Sequence, residues 1–282
     1  MAQASAVRVA PRRTPARRTR AARGRRRFAA IRHLFLALLA LPLALRILMI
    51  GAILVALWWP LNWAYQVVRK PTELFFPVSG ALTKTPSQTW RSDGPLFREH
   101  STAVITPDLL AALAQVEGAG NPVARTYWRW RLTWNPFEVY QPASSAVGMF
   151  QITDGTFQEA KRFCIHNHVV VEDGPWHDLR SCWFNRAYIR VVPSHAVELT
   201  AALLDRTVAR TLARARITTA TLRQRQDLAA LIHLCGEGAG QAYAARGFRL
   251  TPGQKCGDHD VARYLGDVNA LKRQFVRLAA TA

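Results

Sequence analysis

Apolar positions along the chain fall into two regimes. From Leu34 to Val68 the run is predominantly apolar and is broken by Arg46. Neither half, Leu34 to Leu45 or Ile47 to Leu61, comfortably reaches the roughly 20 residues that a spanning helix needs, so the pattern predicts one crossing within a membrane anchor over 33–68. The expected span is Ile47 to Tyr65, with Arg46 at the inner edge and Trp58, Trp59, Trp63 and Tyr65 as an outer aromatic belt. Residues 69–100, with Pro71, Pro77, Pro86 and Pro95, read as a stalk that lifts a folded domain over 101–282 off the bilayer.

Beyond the stalk, the apolar positions recur at helical spacing and predict a mainly α domain with little β. Thr106 suits an N-cap, Pro107 the first turn and Asp108 the positive helix end, with Leu109, Leu113 and Val116 forming a buried stripe. Thr156 with Glu159 suits a capping box for a helix reaching about Phe163. Ser194 would cap a long stretch through Val197, Leu204, Val208 and Leu212, and Asp227 to Leu234 forms a short apolar helix. Asp258 or Asp260 opens a final helix carrying Val261, Leu265, Val268, Leu271, Phe275 and Leu278. Only His168 to Val171 reads as a strand.

Charge changes the picture at the N-terminus. Residues 1–32 hold eleven Arg and no Lys, Asp or Glu, so this tail cannot build a core and is expected to be disordered. Of the 38 basic residues, removing the tail's eleven leaves 27 against 18 acidic, so the formal +20 divides into +11 for the tail and +9 for the rest. A pI near 11.2 would suggest nucleic acid. The largest block of charge instead borders a membrane segment, where topology and anionic lipids account for it. The tail is long for a signal peptide, and the apolar run leads into Trp-Trp-Pro rather than a small-residue cleavage site, favouring an uncleaved anchor. The expected location is the bacterial inner membrane, single-pass, with the N-terminus cytoplasmic and the domain periplasmic.

Cysteine usage bears on the compartment. Cys164, Cys182, Cys235 and Cys256 all follow the apolar run and form two sequence-near pairs. In an oxidising periplasm the natural pairing is Cys164 with Cys182 and Cys235 with Cys256, one of three connectivities, with free buried thiols as the alternative. Cys164, His166, His168, His177 and Cys182 also crowd one stretch with Asp173 and Asp178. Their spacing matches no standard zinc pattern, so no metal and no cofactor is expected.

The candidate chemistry centres on Glu117. It lies four residues after Leu113, on the edge of the apolar stripe, with Gly118 and Gly120 available as a left-handed cap. Burial and the negative helix end both disfavour its ionised form, as a general acid requires. Downstream, Gly148-Met149-Phe150-Gln151 is a Gly-centred turn that delivers a Gln. Glu117-Gly118 with Asn121-Pro122, followed by Gly148-Met149-Phe150-Gln151, resembles the first two motifs of the lytic transglycosylases of the soluble type, relatives of goose-type lysozyme. Ile232-His233-Leu234-Cys235-Gly236-Glu237-Gly238 is a weaker echo of their third motif. The resemblance spans about residues 104 to 246.

That resemblance implies a lysozyme-like α-helical domain acting on peptidoglycan glycan strands. Glu117 would protonate the glycosidic oxygen between N-acetylmuramic acid and N-acetylglucosamine, then deprotonate the muramyl 6-hydroxyl, which closes onto C1 as a 1,6-anhydro end. Gln151 and the backbone of Gly148 to Phe150 would bind N-acetyl groups, with Met149 a candidate lining residue or a core residue and Phe150 a core residue. Three departures stand out. The family's Ser after the acid is Gly118, its third-motif Tyr and Asn fall on His233 and Leu234, and an insert of about 26 residues separates Pro122 from Gly148. If the family's Tyr orients the acid, His233 takes over or the acid is held differently. The insert holds Tyr127, Trp128, Trp130, Trp134, Phe137 and Tyr140. Trp134 and Tyr140 are candidates to stack on sugar rings, with packing as the alternative. Glu138 is the nearby rival acid. A non-catalytic wall-binding module, or a structural part of an envelope-spanning secretion or motility complex, remains the alternative function.

Overall fold

The structure, a computed structural model, describes residues 41–178 and 181–281. It is 60% helical and 9% strand. Two compact units divide at Trp63 and Ala64. The Arg-rich tail and the first part of the apolar run lie outside the described residues.

Helix α1 (Leu43–Arg69) contains the expected span. Its 27 residues give roughly 40 Å at the α-helical rise, more than a hydrocarbon core requires. Its best 18-residue window has a mean hydropathy of 2.0, and none of that window is buried by the protein. By length and composition it is one helix able to cross a membrane. Pro60 lies inside it.

The second unit begins before the expected stalk ends. Residues 71–82 make short helical turns, and α2 (Pro86–Glu99) opens with a capping box in which Thr85 and Gln88 bond each other's backbone N–H groups. Trp90 and Phe97 on α2 are buried, and Trp90 packs 5.8 Å from Phe275. The stalk expectation over 69–100 is therefore corrected. Pro86 sits in the first turn, where its missing N–H costs nothing, and the apolar residues behind it supply a core face.

Helix α3 (Pro107–Gly118) occupies the centre. Leu109 through Ala114 are all buried, as for a helix covered on every side. It packs against α2 and against the last helix, α8 (Val261–Ala280), which Asp260 caps through the N–H of Arg263. Thr106 precedes α3 as expected, although its hydroxyl accepts from Gln226 rather than capping the helix.

A second cluster gathers around α5 (Pro193–Arg214), which packs with α6 (Leu222–Cys235) and α7 (Glu237–Ala245). Helix α4 (Asp154–Ala160) is capped by Thr153, three residues before the expected Thr156, because Thr153 is the residue whose hydroxyl meets the Thr156 N–H. Helix α5 starts at Pro193 without a side-chain cap from its preceding residue. Helix α6 begins five residues before Asp227, at a Thr221–Gln224 capping box.

Among the described residues, three antiparallel hairpins accompany the helices: β1 (Trp128–Trp130) with β2 (Tyr140–Pro142), β3 (Phe163–His166) with β4 (Val169–Glu172), and β5 (Lys255–Cys256) with β6 (His259–Asp260). The expected strand over His168 to Val171 corresponds to β4. Glu198 anchors β3 to α5: its carboxylate accepts from the Ile165 N–H at 2.9 Å and the Tyr188 hydroxyl at 2.7 Å.

The disulfides are Cys164–Cys182 and Cys235–Cys256, the pairing expected from sequence proximity. The second ties the end of α6 to β5, just before α8. Its two cysteines are 21 positions apart, and closing a loop of that size removes roughly 3 kcal/mol of chain entropy from the unfolded state. Cys235→Ser with Cys256→Ser should therefore lower unfolding stability by about 3 kcal/mol in a urea titration. A midpoint unchanged by the double substitution would contradict this.

Candidate functional site

The end of α3 sets the position of Glu117. The helix closes on Ala119, a left-handed residue with φ 48° whose N–H reaches the Ala114 and Gln115 carbonyls, and Gly120 follows at φ 64°. Of the two glycines expected to supply the left-handed cap, Gly120 is left-handed, whereas Gly118 stays helical and Ala119 takes the cap position. Its small size has a different cause: a Cβ there would lie 2.8 Å from Met149 Cα and 3.0 Å from the Met149 carbonyl. The helix end and the Gly148–Gln151 turn therefore meet backbone to backbone, a separation that no side chain at 118 permits.

The turn is held from both sides. Gly148 has φ 81° and lies where a Cβ would stand 2.8 Å from the Arg190 carbonyl. Its N–H donates to the Ala124 carbonyl, and the Gln151 N–H returns to the Gly148 carbonyl at 3.1 Å. The Gln151 side chain bonds the same frame, with Nε2 donating to Gly148 at 2.9 Å and Ala124 at 3.2 Å. Its amide nitrogen is committed to the turn, so Oε1 is the atom it offers to a ligand. Upstream, Asn121 is buried, accepting from the Val123 N–H and donating to the Ser79 carbonyl.

Met149 and Phe150 are both 0% exposed and belong to the core. Met149 as a lining side chain is corrected accordingly. Both side chains point into the core while the Met149 backbone lies against Gly118, leaving only backbone for a ligand.

Glu117 is partly covered, with 16% of its side chain exposed. Its Oε1 accepts a 2.5 Å hydrogen bond from the Tyr264 hydroxyl on α8. Burial, reinforced by the Glu117 charge and this bond, holds the Tyr264 phenol well above its ordinary pKa. Tyr264 is thus a fixed neutral donor. His233, on the last turn of α6, brings Nε2 to 3.9 Å from the same oxygen, beyond hydrogen-bond distance. The acid is therefore held by Tyr264, with His233 alongside.

Sequence reasoning placed α8 but passed over Tyr264. The available signal was a phenol set three residues after Val261 on the buried stripe, because a buried hydroxyl requires a partner.

His233 also lines a cavity of about 290 Å³ between α4, α5 and α6. Thr153, Thr156, Thr207 and Leu203 contribute to its wall. Its rim carries charge pairs from Glu237 to Arg210 and Arg214, each at 2.6 Å, and from Arg210 to Glu159 at 3.2 Å.

The aromatic insert folds as the β1–β2 hairpin. Tyr140 sits against Trp128 and Trp130, with ring centroids 5.1 and 4.7 Å away, so its ring face is used within the hairpin. Trp134 stands at the tip, fully exposed. The insert is tied to residues 65–73 and, through the Tyr127 hydroxyl, to Asp258 at 3.3 Å. Glu138 pairs with Arg69 at 3.3 Å on the surface. The structure brings together Glu117, His233 and the Gly148–Gln151 turn, and places Trp134 on a separate projection.

Sequence reasoning also passed over Glu73. This wholly buried carboxylate accepts from Arg125 Nη1 at 2.7 Å and Trp128 Nε1 at 3.0 Å, with Lys70 Nζ at 3.4 Å. Burial pushes the Lys70 ammonium pKa down, and Glu73 opposes that shift. Among the described residues no group of three or more His, Cys, Asp or Glu is arranged to hold a metal ion, and Cys164 and Cys182 are joined to each other. Comparison of the chain with protein-family models, with curated proteins and with solved structures finds no match, so the reading of this site rests on its own geometry and on the motifs themselves.

Proposed function

We propose that this chain is a membrane-anchored lytic transglycosylase, cleaving the β-1,4 bond between N-acetylmuramic acid and N-acetylglucosamine to leave a 1,6-anhydro-muramyl end. The observation that carries the reading is the Glu117–Tyr264 hydrogen bond at a helix end packed against the Gly148–Gln151 turn. A single carboxyl, partly covered and fixed by one donor, suits a reaction in which the same group first gives and then takes a proton. An internal hydroxyl nucleophile removes the need for a second protein carboxylate of the kind that hydrolytic glycosidases use. The domain works on the periplasmic side: two disulfides suit an oxidising compartment, and the Arg-rich segment suits the cytoplasmic face.

Glu117 carries the proton, and Tyr264 positions Glu117. Oε1 of Gln151 and the backbone of Gly148 and Met149 present hydrogen-bonding atoms to the N-acetyl groups. The test is digestion of purified wall sacculi by the full chain, with products separated by mass. Anhydro-muropeptides support the reading. Reducing ends in their place would make it a hydrolase, and wall binding without turnover would make it a binding module.

Tyr264→Phe isolates the positioning role. Loss of the hydrogen bond that fixes Glu117 should lower kcat by about 10- to 100-fold, with KM changing less. An unchanged kcat would remove Tyr264 from the mechanism.

A further inference from the structure

The contacts of the β1–β2 hairpin fall in a consistent order along the preceding chain. At its base, Arg125 and Trp128 reach Glu73, and Lys70 Nζ donates to the carbonyls of Ser144 and Ala146. Toward the tip, Glu138 pairs with Arg69, the Phe137 carbonyl accepts from Gln66 Nε2 at 2.6 Å, and the Phe137 ring stacks 5.1 Å from Tyr65. From base to tip the partners descend through 73, 70, 69, 66 and 65. The hairpin therefore lies along residues 65–73, with its tip toward the Tyr65 end of that segment. Its tip ends in Leu132 and Trp134, 104% and 103% exposed, with Arg129 and Arg131 exposed beside them.

We infer that the hairpin tip is a second membrane contact, in which Leu132 and Trp134 seat in the interfacial layer of the bilayer and Arg129 and Arg131 meet lipid phosphates. The inference rests on α1 spanning the bilayer and is independent of the chemistry at Glu117. Three observations favour lipid as the occupant. Tyr65, which the Phe137 ring stacks on, belongs to the aromatic belt at the expected outer edge of the span, so the hairpin is joined to a residue expected at the membrane border. Trp beside Leu is an amphipathic pair suited to that layer, whereas the same side chains in water form an unfavourable exposed patch. Two arginines complement an anionic lipid surface. A second attachment restricts swivelling of the domain about residues 64–70.

The test uses the full chain with Leu132→Cys. Both native disulfides remain closed, so the added thiol is the reactive one among the described residues. The thiol carries an environment-sensitive fluorophore, and the protein is reconstituted into phosphatidylcholine vesicles containing phosphatidylglycerol and a lipid with a shallow nitroxide quencher. Reference labels are Leu54→Cys in α1, read with a deep quencher, and Thr219→Cys on an exposed loop. The expected result is quenching at 132 and at 54 with none at 219, and weaker quenching at 132 when phosphatidylglycerol is omitted. Quenching at 54 with none at 132 overturns the hairpin contact and leaves the anchor standing. No quenching at either overturns both.

Discussion

Glu117→Gln should reduce release of 1,6-anhydro-muropeptides from purified sacculi by about 10²- to 10⁴-fold, the range that a positioned acid/base group contributes. The substitution keeps the size of the side chain and an oxygen facing Tyr264, so the α3–α8 contact that surrounds residue 117 survives. Gln cannot supply or remove the proton. Unfolding temperature should accordingly stay near that of the parent, separating lost chemistry from lost structure. Wall binding should persist, because Gln151 and the Gly148 turn are untouched. Turnover at the parent rate would move the acid elsewhere, and Glu138, paired with Arg69 on the surface, would then be next to test.

The largest stability effect is expected at Glu73. Replacing it by Ala removes a buried carboxylate and leaves the cationic groups of Arg125 and Lys70 facing each other without it. Breaking a buried pair from one side typically costs about 3–5 kcal/mol. For a domain of this size that corresponds to a fall in Tm of roughly 6–20 °C, readable by near-ultraviolet circular dichroism in detergent. Glu73→Gln should lie between Ala and the parent, since it keeps the acceptor for Trp128 and loses the charge. A Tm within about 1 °C of the parent for Glu73→Ala would mean that Lys70 and Arg125 reach solvent instead.

Local signals announced several elements, while contacts between distant residues did not. Pro107, Asp108 and the apolar residues after them are all neighbours in sequence, so α3 was legible. The same holds for Asp260, one of two candidates to cap α8, and for the cysteines, whose nearness in sequence favoured the pairing found among three connectivities. The 69–100 stretch misled because proline density resembles an extended linker, whereas Pro86 and Pro95 are accommodated in α2 and Trp90 and Phe97 face the core. The insert was legible as aromatic but not as a hairpin, because Trp128, Tyr140 and the strands they occupy are joined by a long turn without a tight Gly signal.

At the site, the two segments flanking Glu117 and Gln151 could be named, but not how they touch. That Gly118 is small because Met149 lies against it, and that Met149 faces inward, are facts of packing. Tyr264 was hidden for the same reason: nothing local to α8 says that its hydroxyl meets a carboxylate 147 positions earlier.

That separation sets the order in which the site is assembled. The ribosome delivers Glu117 147 positions before Tyr264, so an unfinished chain holds the carboxyl without the phenol that bonds it. If the proposed function holds, glycan cleavage at full rate therefore waits for α8, because an unfinished polypeptide has its acid unpositioned.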